Sequence, residues 1–233
     1  MIVSKRAIIT AAVAAAVWLM VGSAAPSAAL AASTRVVDDD YPSATACKGA
    51  AYATIQAAVD SFTAGQSGTI RVCAGVYPEN VSISGLGKVK LLGKPGATVV
   101  SPSTSPLIAA TNTTRLTVQG FTLDGAGYSI TSGMIALQNS SGVITKNVFQ
   151  NCANSYGIDA SSSAGTRTLK ITNNDYTGVG GAVFSGTTGG KISVKVTGNE
   201  VVLNYTMPLI PDNLIIEKDG VLPTVQYGGR YWT

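Results

Sequence analysis

The sequence predicts an all-β protein wound as a parallel β-helix, and three observations carry that expectation. Four segments of one pattern recur, starting at Leu116, Gly142, Leu169 and Val194, at offsets of 26, 27 and 25 residues. A two-residue bend containing Asn or Gly sits at the same point of each copy, where the apolar alternation skips: Gly120-Phe121, Lys146-Asn147, Asn173-Asn174 and Gly198-Asn199. Charged residues are only 12% of the 233, Gly numbers 26, and Ser, Thr and Asn abound. That composition suits strands and turns better than a helical bundle. At 45% apolar, the chain is also too hydrophobic for general disorder.

The elements follow in order. Lys5 and Arg6 form a short basic start, Ala7 to Val21 is apolar and uncharged, and Ala29-Leu30-Ala31 closes a small-residue stretch. This order predicts a secretory signal peptide over residues 1–31, cleaved after Ala31. The apolar run is shorter than the ~20 residues of a spanning helix, and Pro26 lies just beyond it. The mature chain is therefore expected to be secreted or periplasmic, with no membrane contact after cleavage. Loss of Lys5 and Arg6 takes the formal net charge from +4 to +2.

Thr54 to Asp60 reads as a short amphipathic helix with Ile55, Ala58 and Val59 on one face. A solenoid needs a cover over its open apolar end, and this helix would supply it. Thr69 to Cys73 reads as the first strand, and Gly75 to Glu79 turns into Val81-Ser82-Ile83. Export permits disulfides. Of the three cysteines, Cys47 and Cys73 flank this N-terminal unit and are paired, which leaves Cys152 as a buried free thiol. Such a bridge closes about 26 residues and contributes roughly 3 kcal/mol in the chain-entropy picture.

Within the repeats, Leu169 and Ile171 point to one side, and the inward set resumes at Tyr176 after Asn173-Asn174. The skip predicts a tight bend between strands, with a left-handed backbone that Asn and Gly tolerate. Asn147, Asn174 and Asn199 would stack there as a hydrogen-bonded ladder with a structural role. Residues 32–206 are assigned to the β-helix and its N-terminal cap. The Pro- and Gly-punctuated residues 207–233 are assigned to a C-terminal capping tail, which would cover the last strand edge.

Two stretches also carry a resemblance. Tyr52-Ala-Thr-Ile-Gln-Ala-Ala-Val-Asp60 and Thr69-Ile-Arg-Val-Cys-Ala-Gly-Val-Tyr-Pro-Glu-Asn-Val81 resemble the opening of right-handed parallel β-helix proteins of the pectate-lyase-like superfamily. The resemblance spans about residues 41–205. It implies a right-handed, three-faced solenoid of a superfamily whose members include polyuronate lyases, polysaccharide hydrolases, esterases, epimerases and non-catalytic adhesins. No enzyme family within it is matched. The chain has no histidine, which excludes the Gly-His-Gly motif of polygalacturonases and the Asp-Pro-His motif of alginate epimerases. The Asp-Phe-Ile-Phe-Gly and Leu-Gly-Arg-Pro-Trp motifs of pectin methylesterases are missing as well.

The repeat register places Lys170 and Lys195 at one outward position, and Asp175 and Glu200 at another across the bend. Successive coils would set each pair about 4.8 Å apart. Two carboxylates that close call for a cation, and calcium takes oxygen ligands. A lysine among other cations can serve as a base toward a sugar C5 proton. The catalytic reading is thus a calcium-assisted polyuronate lyase, with Lys170 or Lys195 as base and Asp175 and Glu200 on the metal. The alternative for the same residues is a solvated ion-pair cluster worth about 0–1 kcal/mol per pair. Asp124 and Asp159 are candidates to line a substrate groove, although Asp124, beside Gly125, more often reads as a turn residue, and Asp159, between an apolar residue and a Ser-rich loop, reads equally as a cap. Asp38-Asp39-Asp40 reads as a solvated charge run. The positive charge looks weak and scattered, so no nucleic-acid partner is expected.

The expected partner is a polysaccharide or another cell-wall component, met by an exported surface that binds or cleaves it. The competing expectation is a non-catalytic structural or adhesive solenoid. A groove gathering Lys170, Lys195, Asp175 and Glu200 would favour an enzyme, and a flat polar face would favour binding or scaffolding.

Overall fold

The computed structural model describes residues 33–43, 47–187 and 189–203, together with the backbone pairing of three short strands between 215 and 232. Residues 1–32, which hold the signal-peptide assignment, and most of the assigned tail lie outside the described residues. Nearly all of the described regular structure is β. One strand, β1 (Ser33–Val37), precedes the single helix α1 (Ile55–Asp60). The first coil consists of β2 (Gly68–Val72), β3 (Gly75–Pro78) and β4 (Val81–Ser84). The second has β5 (Lys88–Gly93), β6 (Ala97–Val100) and β7 (Ile108–Thr111). The third has β8 (Arg115–Gln119), β9 (Thr122–Asp124) and β10 (Ile135–Gln138).

Beyond these, β11 (Ser141–Thr145) is followed by the long β12 (Val148–Ser162), and β13 (Thr166–Thr172) by the long β14 (Asp175–Thr187). Each long strand runs through a corner where the earlier coils break. The described solenoid ends with β15 (Lys191–Thr197) and β16 (Glu200–Leu203). Three parallel ladders result. The first face stacks β1, β2, β5, β8, β11, β13 and β15. The second stacks β3, β6, β9, the starts of β12 and β14, and β16. The third stacks β4, β7, β10 and the later parts of β12 and β14. This is the expected parallel β-helix, with one addition. The sequence reading began the strands at Thr69, whereas β1 already lies in register before β2, pairing Ser33 with Gly68 through Val37 with Val72.

Period-two burial builds the interior. On the first face Leu116, Leu169 and Val194 form one buried column and Val118, Ile144 and Ile171 another, while the residues between them face out. Phe149 and Tyr176 stack inside at 4.6 Å between ring centroids, so Tyr176 is core as the register required. Burial raises the Tyr176 phenol above its ordinary value.

The cap forms as its sequence suggests, with Ile55, Ala58 and Val59 buried. Thr54 Oγ1 accepts from the Ala57 amide at 3.1 Å. The Glu79 carboxylate, from the corner after β3, accepts from the Ile55 and Gln56 amides at 2.8 and 2.9 Å. Those are helix N–H groups with no partner inside the helix. Arg35 lies over the Phe62 ring, 4.9 Å from its centroid, and its Nε donates to Ser61 Oγ. Cys47 and Cys73 form the expected disulfide, and Cys152 is a buried free thiol.

The Asn ladder holds the corner between the first and second faces. Lys146 and Asn173 take the left-handed backbone, with φ of 56° and 54°. The next residue then turns inward. Asn147 Nδ2 donates to Asn174 Oδ1 at 3.0 Å, and Asn174 Nδ2 donates to Asn199 Oδ1 at 2.9 Å. The same amides donate to the Val118 and Ile144 carbonyls. Asn147 and Asn174 are almost wholly buried, where a missing hydrogen bond is costly. A second polar corner, between the third and first faces, went unread in the sequence. Asn112 and Asn139 take φ of 51° and 50° there, and Ser140 Oγ accepts from the Thr113 amide.

Candidate functional site

The third face carries a groove. Its outward column runs Ser82, Ala109, Ala136 and Asp159, one residue per coil in register. Beside it runs Ser84, Thr111, Gln138 and Ser161. Alanines leave the floor low. The walls come from the loops 101–107 and 125–134, which leave the second face before β7 and β10 and put Pro106 and Ser132 at the rim. The enclosed space is about 270 Å³, just under the ~300–1,000 Å³ common for ligand sites. It suits a short segment of a longer chain.

Among the described residues, Asp159 is the only ionisable one that lines this groove. Burial pushes its carboxyl up to about 6 from an ordinary value of 3.8. Next to it the Ser132 loop closes tightly on β12. A Cβ at Gly133, whose φ is +75°, would sit 2.8 Å from the Asp159 amide nitrogen. Only glycine fits there without displacement. The chemistry on offer is a set of hydroxyls and an amide, an apolar floor, and one carboxyl that changes charge near pH 6. Among the described residues no second carboxylate lines the groove, and acid–base hydrolysis of a glycosidic bond uses two.

Asp124 has a different place. Its carboxylate accepts from the Ala126 amide at 2.8 Å, from Gln150 Nε2 at 2.8 Å and from Asn151 Nδ2. Burial works to raise its pKa, but these hydrogen bonds outweigh it and hold the carboxyl below its ordinary value. Asp124 thus secures the start of the rim loop. A second, more open depression of about 370 Å³ lies nearby, between Ala126, Gly127, Asn151, Ala153, Asn154 and Gly178.

The four residues of the lyase reading stand in the register expected of them. Lys170 pairs with Lys195 on the first face, and Asp175 with Glu200 on the second. The buried Asn ladder separates the two pairs. Lys170, Asp175 and Glu200 are exposed and Lys195 is half-buried, and none of the four lines either groove. Two exposed carboxylates supply a fraction of the 6–8 oxygens that calcium takes. The Asp38-Asp39-Asp40 run is not simply solvated. Asp38 is buried, and Asp39 accepts from the Val76 amide at 2.8 Å, which ties the N-terminal segment to β3.

One feature of the faces was not legible in the net charge. Every Lys and Arg within strands β1 to β16 lies on the first face, and every Asp and Glu within them lies on the second or third. Within the strands, positive charge that looks scattered along the sequence is gathered on one sheet, while Lys48, Lys94 and Lys146 lie outside the strands. Among the described residues no helix is long and apolar enough to cross a membrane. Compared with known proteins, the chain matches no family model, no curated protein and no solved structure.

Proposed function

We propose that this protein is an exported glycan-binding solenoid, related to the pectate-lyase-like β-helices, that holds an uncharged stretch of polysaccharide or cell-wall chain in its third-face groove. The observation that carries this reading is the groove itself. Thr111, Gln138, Ser161 and Ser132 present hydrogen-bonding groups beside an alanine floor. That pairing matches a sugar ring, with its hydroxyl edge and less polar face. Asp159 adds an acceptor above pH 6 and a donor below it. Binding is favoured over lyase chemistry because Lys170, Lys195, Asp175 and Glu200 face outward on two faces rather than into one groove.

The test is binding of the mature chain to a panel of neutral and acidic polysaccharides, beside an Ala136→Tyr variant that fills the groove floor. The variant should lose neutral-glycan binding at least tenfold while its far-UV spectrum and melting temperature hold. Undiminished binding would remove the groove from the account. New reducing ends that appear with calcium and vanish with chelator would replace binding with depolymerisation.

A further inference from the structure

We infer that the first face is a second, separate docking surface, and that its occupant is a linear acidic polysaccharide laid along the solenoid axis. The inference goes beyond the groove and rests on the glycan reading only for the class of polymer. Arg71 on β2, Lys88 and Lys90 on β5, Arg115 on β8, Lys170 on β13 and Lys191 on β15 all point outward and are exposed. No acidic residue lies in any strand of this sheet. The sheet register aligns part of this set: Lys88 is opposite Arg115, and Lys90 stands in the column that passes through Thr117 and Val143 to Lys170. The remaining outward positions carry mainly Thr and Ser, as at Thr69, Thr117, Ser141 and Thr145.

Charges arranged this way meet a polymer whose own charges repeat along its length. Coils advance by about 4.8 Å, a step of the same order as one sugar along a glycan chain. A field of one sign also draws such a polymer in from a distance. Two other anionic partners fit less well. Bases of a single-stranded nucleic acid stack on aromatic rings, interfacial membrane binding uses inserted apolar or aromatic side chains, and duplex DNA, held through its phosphates alone, is separated by the experiment below. The exposed large apolar residues of the described chain are Tyr41, Val76 and Tyr128, none of them on this sheet. Asp159 makes the groove anionic above pH 6, so the two surfaces select different stretches of chain.

The experiment measures affinity for polygalacturonate, neutral dextran, duplex DNA and phosphatidylglycerol vesicles at pH 7. Lys90→Ser/Lys170→Ser is compared with Ser82→Glu/Ser84→Glu, which makes the same net-charge change on the third face. Polygalacturonate should bind best of the four, weaken about tenfold in the lysine variant, and weaken little in the serine variant. It should also weaken about tenfold or more between ~50 and ~300 mM salt. Ala136→Tyr should leave it unchanged, so failure of the groove and failure of the basic face give different results. Equal loss in the two charge variants, loss on Ala136→Tyr, or tighter binding of DNA or vesicles would each overturn the inference.

Discussion

The first and third faces rise on the same coils and share one interior, yet their outer surfaces have opposite character. The first face is regular: its strands run five to seven residues, and its outward columns carry Lys, Arg and Thr. The third face is interrupted before β7 and β10 by loops 101–107 and 125–134, and its outward columns carry Ala, Ser and one carboxyl. Inward positions are fixed by packing, since a one-residue slip would turn the core outward. Outward positions are free to differ face by face. Chemistry on this solenoid is therefore a property of a face and its loops.

The shared frame gives the largest expected effect. Asn174→Ala removes the acceptor of the Asn147 amide and side chain and the donor to the Ile144 carbonyl, all buried. A loss of about 3–5 kcal/mol is expected at roughly 1–3 kcal/mol per orphaned group, read by urea unfolding. Both faces should disappear in one transition. Separate loss of polygalacturonate and neutral-glycan binding along the same titration would show that the faces do not share a frame.

Next comes the N-terminal end, which both faces abut through the cap. Replacing Cys47 and Cys73 by serine should cost about 3 kcal/mol, within the ~2–5 kcal/mol usual for a native disulfide. Reduction of the wild type should give the same shift in midpoint, and Cys152→Ser should not reproduce it.

The third face is probed by Asp159→Asn. The folded carboxyl titrates near 6 instead of 3.8, so the folded state holds its proton more tightly than the unfolded chain. The stabilisation this confers is complete below pH 4 and lost as pH rises through 6. Asparagine removes that loss. The variant should melt a few degrees higher at pH 7, at about 2–4 °C per kcal/mol for a domain of this size, and match the wild type near pH 4. A wild type whose melting temperature is flat between pH 4 and 7 would contradict the burial of this carboxyl.

The smallest effect belongs to the first face. Lys90→Ala and Lys170→Ala, both exposed, should each change stability by less than about 0.5 kcal/mol, as outward strand substitutions do. Their consequence should be seen in polyanion binding alone. A large stability loss would mean that the basic face is part of the frame.

Several features are legible in the sequence alone. The repeat at 116, 142, 169 and 194 announced the coils, and the recurrent Asn at 147, 174 and 199 announced the ladder, because corner residues must repeat wherever coils stack. The short helix, its buried face and the Cys47–Cys73 pair were equally local. Those features follow from period, spacing and turn chemistry, which neighbouring residues dictate. The groove was not readable in this way. Pro106, Ser132, Ala136 and Asp159 come from three coils, and the space between them exists only once the loops stand against β12. Asp124 and Asp159 were both candidates for the groove, and only the turn signal of Asp124 beside Gly125 set them apart. Tertiary packing gave one of them three hydrogen-bond partners and buried the other, because each environment is assembled from residues far apart in the chain. The basic face has the same origin. Its charges lie tens of residues apart, and only stacking at one strand per coil turns a weak net charge into a single-sign surface.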